Sequence, residues 1–284
     1  MLTVEAPAKI NRELRIGAVR SDGFHEIFSR FVSIDLADRL MVEPAPARIA
    51  FSCDDASVPR DEGNLVVRAA ELLSSRLKTA AGARLRLEKR VPAGAGLGGG
   101  SADAAVALRL LASLWEAELA PGELGELAAK LGSDVPFFLV GGEADVTGRG
   151  EAVAPREDGP GAELLVFVPP FAIATAEVYA AHRRKHSGLG ALPERLDIES
   201  SGRFFGPNDL EAAIFEVRPE MEELLFAARA VSAEATITGS GSAIVLYQPA
   251  EAAAPRLAAL APGSRFYRTR TLGRAEYRRR ATPA

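Results

Sequence analysis

The segment Pro92-Ala93-Gly94-Ala95-Gly96-Leu97-Gly98-Gly99-Gly100-Ser101-Ala102-Asp103 decides how this chain folds and what it can hold. Five glycines within seven positions leave few Cβ atoms to keep a bulky charged ligand away from the backbone amides. Upstream, Arg84 to Val91 alternates charged and apolar residues, as an antiparallel strand wet on one face does. Downstream, Ser101 to Trp115 puts Ala105, Leu108, Leu111 and Leu114 on one helical face. A strand, a glycine loop and a helix N-terminus together collect anions. First-turn N–H groups have no intrahelical partner, and the helix dipole adds about half a positive charge there. The expected guest is a phosphate, because a loop built for flexibility alone would carry Ser, Asn and Asp among its glycines. A Walker loop is excluded, since Gly100 is followed by Ser101-Ala102 and not by Lys-Ser or Lys-Thr. Gly94, Gly96 and Gly99 match the literal dinucleotide pattern, but that pattern requires a buried parallel strand ahead of it.

The whole chain narrows the class. At 284 residues it can bury a sizeable core, as one large domain or two smaller ones. Nearly half the residues are apolar and the formal charge is only −4, which argues against disorder and against a nucleic-acid partner. A single cysteine, Cys53, cannot form an internal disulfide and reads as a small buried hydrophobe in a reducing compartment. No apolar run approaches the ~20 residues that cross a bilayer, and the first residues lack the basic and apolar regions of a signal peptide. The expectation is a cytoplasmic protein without membrane contact. The arginines between Arg268 and Arg280 read as a solvated terminal segment.

Short alternating segments, Leu14 to Ile16, Phe28 to Leu36, Leu40 to Glu43 and Ile49 to Ser52, predict strands joined by turns. Asn64 is placed to cap a helix from Leu65 to Lys78. A further helix, Leu124 to Leu131, is expected to end at Gly132. Residues 154–161, rich in Pro, Gly and charge, form the expected linker. Beyond it come an apolar strand from Leu164 to Val168, helices near Thr175 to His182 and Pro219 to Val231, and a hairpin turned by Gly239-Ser240-Gly241. The pattern is α+β, in two halves with a glycine-rich turn in each. The division is 1–154 and 162–284.

A phosphate loop needs a partner that does chemistry. Lys9, in Pro7-Ala8-Lys9-Ile10-Asn11, reads by itself as an edge-strand charge. Asp134, in Gly132-Ser133-Asp134-Val135-Pro136, reads by itself as a helix N-cap. Together they make a workable unit for phosphoryl transfer to an alcohol. A carboxylate accepts the hydroxyl proton while an ammonium steadies the negative charge.

Three segments, Pro7 to Asn11, Gly94 to Ser101 and Thr238-Gly239-Ser240-Gly241-Ser242, resemble the three motifs of the galactokinase, homoserine kinase, mevalonate kinase and phosphomevalonate kinase (GHMP) superfamily. Within it, Asp22-Gly23-Phe24-His25 and Asn208-Asp209-Leu210-Glu211 resemble the branch acting on 4-diphosphocytidyl-2-C-methyl-D-erythritol in the non-mevalonate route to isoprenoids. The resemblance implies a two-domain fold, with an N-terminal domain like domain 2 of ribosomal protein S5 and a ferredoxin-like C-terminal domain. The active site lies in the cleft between them.

By the same resemblance the activity is ATP-dependent phosphorylation of that substrate's 2-hydroxyl, with Mg2+ as companion ion and no metal ligands assigned. Asp134 is the base and Lys9 its cationic partner. The loop residues Pro92, Ala93, Gly94, Ala95, Gly96, Leu97, Gly98, Gly99, Gly100, Ser101, Ala102 and Asp103 bind the ATP phosphates, and Asn64 and Lys89 approach the nucleotide. His25 reads the cytosine edge, Phe24 and Tyr179 flank its ring, and Asn11 touches the substrate near the reacting end. Phe24 stands where the family has tyrosine, Ala102 where it has a second serine, and Arg12-Glu13 where it has a more apolar pair on the first strand's outer face. His182 and His186, in a charged stretch expected to be exposed, are assigned nothing. Valine at Gly98 is expected to abolish ATP binding with the fold intact. The chain is expected to act as a monomer or weak homodimer. The alternatives are another alcohol kinase of the superfamily, a non-catalytic nucleotide-binding protein, and an RNA-binding protein with an S5-like fold, which should be strongly basic.

Overall fold

The computed structural model describes residues 1–185 and 192–283. The chain opens with two long antiparallel strands, β1 (Leu2–Val19) and β2 (His25–Ala45), joined by a turn at residues 20–24. Register shifts at Pro7/Lys9, Asn11/Glu13 and Ile16/Val19 interrupt their pairing. These irregularities explain why the sequence read as short separate strands. Each bulge moves the apolar alternation by one residue, so a period-two pattern breaks where the strand does not.

Next come β3 (Ile49–Cys53), α1 (Leu65–Leu77), β4 (Gly82–Glu88), α2 (Gly99–Leu114), α3 (Glu123–Leu131), α4 (Val135–Val140), β5 (Glu143–Thr147) and β6 (Ala152–Pro155). They complete a six-stranded sheet ordered β3-β4-β2-β5-β6, with β1 on β2. Asn64 caps α1 as the sequence predicts, its Oδ1 accepting from Val66 N at 2.8 Å. The helix ends at Lys78 in the left-handed region.

The second sheet begins at β7 (Glu163–Val168). The chain continues through α5 (Thr175–Lys185), α6 (Ile198–Ser201), α7 (Glu211–Val217), α8 (Glu220–Arg229), β8 (Ser232–Ile237), β9 (Ile244–Pro249), α9 (Ala253–Leu260), β10 (Arg265–Arg270) and α10 (Arg274–Ala281). Its order, β10-β7-β9-β8, is wholly antiparallel. The β-α-β-β-α-β succession in that order is the ferredoxin-like arrangement. No helix among the described residues is long and apolar enough to cross a membrane.

Three apolar clusters hold the molecule together. One lies between the first sheet and α1–α4, and another between the second sheet and its helices. The third joins the sheets: Ala8 and Ile10 of β1, Val32 and Ile34 of β2, Leu164 and Val166 of β7, and Ala243 and Val245 at β9. Ala95 and Leu97 of the glycine loop belong to this seam, which therefore anchors the loop.

Three expectations are corrected here. The arginine-rich stretch is not a solvated tail. Arg270 and Arg280 pair with Glu276 and Asp35, and α10 packs against the first sheet's core, not the second's. Its Tyr277 ring lies over Gly141, where a β-carbon would sit 1.9 Å from the ring, and its hydroxyl donates to Phe138 O at 2.7 Å. Arg12 and Glu13 do not form an outer face. Glu13 is fully enclosed and accepts from the backbone of Asp197 and Ile198, while Arg12 pairs with Glu143 at 2.7 Å and lies over the Phe204 ring. His182 is buried on α5, its ring edge-on to His25 at 5.8 Å. His186 lies outside the described residues.

Candidate active site

The three motifs read along the sequence meet at one place. Lys9 N donates to Leu97 O at 3.0 Å, and Ala243 N donates to Ala95 O at 3.1 Å, so the glycine loop is clamped between β1 and the β8–β9 turn. Gly94, Gly96 and Gly98 all have φ near +70°, alternating with the anchors Ala95 and Leu97. That conformation favours glycine, and at Gly96 the close approach demands it, because a β-carbon there would lie 2.2 Å from Thr238 O. Ala95 and Leu97 therefore offer a ligand only their backbone. Gly98 holds the N-cap position of α2, which begins at Gly99, two residues before the predicted Ser101, and no side chain caps it. The first-turn amides of α2 are thus left open to an anion.

Two cavities back onto this loop. One, of about 340 Å3, is lined by Gly94 to Ser101, Asp103, Asn64 and Lys89. The other, of about 580 Å3, is lined by Lys9, Asn11, Phe24, His25, Asp134 and Tyr179. Gly96 and Gly98 belong to both walls. The two cavities therefore meet at the backbone of Gly96 and Gly98.

At that junction Lys9 Nζ lies 3.5 Å from Asp134 Oδ2, 2.7 Å from Asn11 Oδ1 and 4.4 Å from the centre of the Phe31 ring. Lys9 is almost wholly enclosed, and burial pushes its ammonium below the ordinary lysine value, with the nearby Asp134 charge opposing the shift. Asp134 precedes α4, yet its side chain makes no capping bond to that helix. The N-cap alternative is thereby set aside, and the carboxylate faces Lys9 and the cavity.

His25 Nδ1 lies 3.0 Å from Gly17 O. A carbonyl only accepts, so Nδ1 carries the proton, and Nε2 of the neutral ring is left as an acceptor. Among the described residues Nε2 has no hydrogen-bond partner although it is buried. Tyr179 stands 5.6 Å from His25, its hydroxyl pushed up by burial and by the Asp134 charge. Phe24 is half exposed, with the Arg149 guanidinium over its ring at 5.2 Å.

Several predicted nucleotide residues have other duties. Lys89 Nζ is enclosed between Asp38 and Asp103 beneath the loop, so its donors are already engaged within the chain. Burial pushes Asp103 up to about 8, opposed by the Lys89 ammonium and reinforced by Asp38. Asn64 uses its amide within the chain, to Val66 N and Pro59 O. Ala102 points into the first core, which explains how the chain does without a second serine there. Ser101, half exposed in the first turn of α2, keeps its hydroxyl at the loop.

Sequence reasoning missed the partners of these groups. Asp38 lies 51 residues from Lys89, and Ser29 and Thr238 bracket Asn11 from 18 and 227 residues away, so no local spacing reveals them. The Asn208 segment supports the site from outside. Asn208 Nδ2 donates to Ile237 O and Gly239 O, which fixes the glycine turn opposite the loop.

Comparison with known proteins places these features in context. Residues 64–142 match the family model described as the GHMP kinases N terminal domain. The chain is 36% identical over 264 residues to 4-diphosphocytidyl-2-C-methyl-D-erythritol kinase from Exiguobacterium sibiricum, covering 90% of this chain and 92% of the relative. It is 40% identical over 236 residues to the protein of that name from Pelotomaculum thermopropionicum, covering 79% and 80%. A crystal structure of 4-(cytidine 5'-diphospho)-2C-methyl-D-erythritol kinase superposes with a TM-score of 0.79 at 37% identity, over 96% of this chain and 100% of that one. A mevalonate kinase structure shares the fold, with a TM-score of 0.70 at 12% identity over 96% and 100%.

Proposed function

We infer the chemistry of this site from one premise: the chain belongs to the 4-diphosphocytidyl-2-C-methyl-D-erythritol kinase family of GHMP kinases and is an ATP-dependent kinase of small-molecule alcohols. It phosphorylates the 2-hydroxyl of 4-diphosphocytidyl-2-C-methyl-D-erythritol in the non-mevalonate isoprenoid route. The observation that carries the residue-level reading is the Lys9–Asp134 pair in the larger cavity, with Lys9 beside the Gly98 backbone that both cavities share.

ATP lies along the 340 Å3 cavity, its phosphates against the open amides of Gly98 to Ser101. The cytidine alcohol fills the 580 Å3 cavity. His25 Nε2 accepts from the cytosine amino group, and Phe24 and Tyr179 flank the ring. Asp134 takes the proton from the 2-hydroxyl as its oxygen bonds to the γ-phosphorus and the bond to the β-phosphate oxygen breaks. Lys9, already desolvated, stabilises the charge on the transferring group without having to reorganise.

Magnesium takes oxygen ligands and draws most of them from the nucleotide and water. Ser101, in the first turn of α2 and lining the loop cavity, is the side chain that would offer such an ion a hydroxyl. When bound, the ion neutralises phosphate charge. Residues 1–154 form the nucleotide-binding unit and 162–284 the second unit, which supplies the β8–β9 turn and Tyr179. With a charge of −4 and a single cysteine, we place the enzyme in the cytoplasm without a nucleic-acid partner.

The test is ATP consumption with the cytidine substrate, mevalonate and homoserine in parallel. Turnover with the first alone is expected. Turnover with mevalonate or homoserine and none with the cytidine alcohol would overturn the assignment.

A further inference from the structure

The Lys9 ammonium is held by an amide whose own orientation is fixed from two sides. Asn11 Oδ1 accepts from Lys9 Nζ at 2.7 Å. Asn11 Nδ2 donates to Ser29 Oγ at 2.9 Å, and Ser29 gives its own proton to Glu13 O at 2.5 Å, so its oxygen is an acceptor toward the amide. Thr238 Oγ1 accepts from the Asn11 backbone N–H at 2.9 Å, which leaves its hydroxyl proton to donate to Asn11 Oδ1 at 3.2 Å. All four side chains are buried. A flipped Asn11 amide would set donor against donor at Lys9. Thr238 follows β8, so this support reaches the ammonium from the second sheet.

We propose that Thr238 is a positioning residue for phosphoryl transfer, its hydroxyl holding the Asn11 amide so that Oδ1 draws Lys9 to one side of Asp134. The distances carry the inference. Nζ makes a full hydrogen bond to Asn11 at 2.7 Å and only a longer ion-pair contact, 3.5 Å, to the carboxylate. A lysine stem is flexible and its ammonium has three rotatable donors. Released by Asn11, it closes on Asp134, and a carboxylate that accepts that bond is a poorer base toward an incoming hydroxyl. Thr238 thereby keeps the base open while leaving the cation close enough to act.

This rests on the roles given above to Lys9 and Asp134, and a double-mutant cycle separates the two failures. Thr238→Val is expected to lower kcat by about 10- to 100-fold, the scale of a small misplacement at a reacting centre. KM for both substrates should stay within about threefold, and Thr238→Ser should restore kcat. In a Lys9→Met background, Thr238→Val should change kcat less than about twofold, because the residue it acts through is gone. Effects that multiply, a loss carried by KM, or an unchanged kcat in folded Thr238→Val overturns the proposal. If Lys9→Met itself keeps full kcat, the assignment of Lys9 fails instead. Should Thr238→Val not fold, Ser29→Ala loosens the other end of the same amide and must show the same dependence on Lys9.

Discussion

Alanine at Gly100 should make the protein more stable and its nucleotide binding worse. Gly100 is exposed in the first turn of α2, and a β-carbon there would meet only Leu65 Cδ1, at 3.9 Å. Nothing in the free protein opposes the side chain, and replacing a helical glycine by alanine stabilises by roughly 0.5–1 kcal/mol. The same methyl group stands on the wall where phosphate oxygens should approach the amides. Crowding of that kind costs about 1–3 kcal/mol, which at ~1.4 kcal/mol per tenfold is roughly 5- to 140-fold in Kd. At an ATP concentration about 100 times the parent Kd, the parent gains ~2.7 kcal/mol from the ligand. A variant binding about 30-fold more weakly gains only ~0.9 kcal/mol by the same relation. The order of stability therefore reverses on adding ATP, and thermal unfolding with and without nucleotide reads the crossing directly. If ATP stabilises Gly100→Ala as much as the parent, the phosphates do not lie on this backbone and the loop assignment falls. Gly98 is the wrong place for this test. A β-carbon there lies 2.7 Å from Phe138 Cζ and 3.1 Å from Lys9 Cγ, so valine would disturb the site whether or not phosphate binds.

Asp134→Asn should lower kcat by about 10²–10⁴-fold, the usual worth of a general base, with ATP binding retained; more than about a tenth of parent kcat in steady-state assays would remove Asp134 from proton transfer. The lowered Lys9 value sets a pH dependence: between its folded value and 10.5 the unfolded chain binds more protons, so stability rises with pH across that window. Lys9→Met should lack that rise in denaturant titrations taken pH by pH, and an identical slope in both proteins would show that the ammonium is not desolvated. With His25 Nε2 fixed as an acceptor, cytosine offers it an amino group and uracil a carbonyl. One mismatched polar contact at about 1–3 kcal/mol predicts at least roughly a 5-fold preference in kcat/KM for the cytidine substrate, eroded in His25→Ala; equal use of both bases by the parent would refute it.

What was legible in the sequence was whatever is written locally. The glycine loop between strand and helix, the Asn64 cap, the end of α3 at Gly132 and the hairpin at Gly239-Ser240-Gly241 all declare themselves within a few residues. The full lengths of β1 and β2 did not, because bulges reset the alternation that reveals a strand. The last helix was hidden by composition. Three consecutive arginines follow Tyr277, and only Tyr277 and Ala281 are buried, so one anchor decides a segment that otherwise reads as solvated. At the site, Lys9 and Asp134 were visible as residue types in suggestive motifs, while Asn11's place between Ser29 and Thr238 depends on contacts that only the tertiary fold creates.

The packing of α10 under the first sheet bears on how the enzyme comes into being at the ribosome. Tyr277 fills the space over Gly141 and bonds to Phe138, a partner made 139 residues earlier. The helices that carry the phosphate loop and the base thus emerge with their hydrophobic underside unsealed, and stay so while the entire second sheet is synthesised. A chain released early, lacking residues 274–281, would have every catalytic side chain and still expose that underside to chaperones and proteases. The apolar underside of the first sheet's helices is in this way closed by one tyrosine from a distant part of the chain.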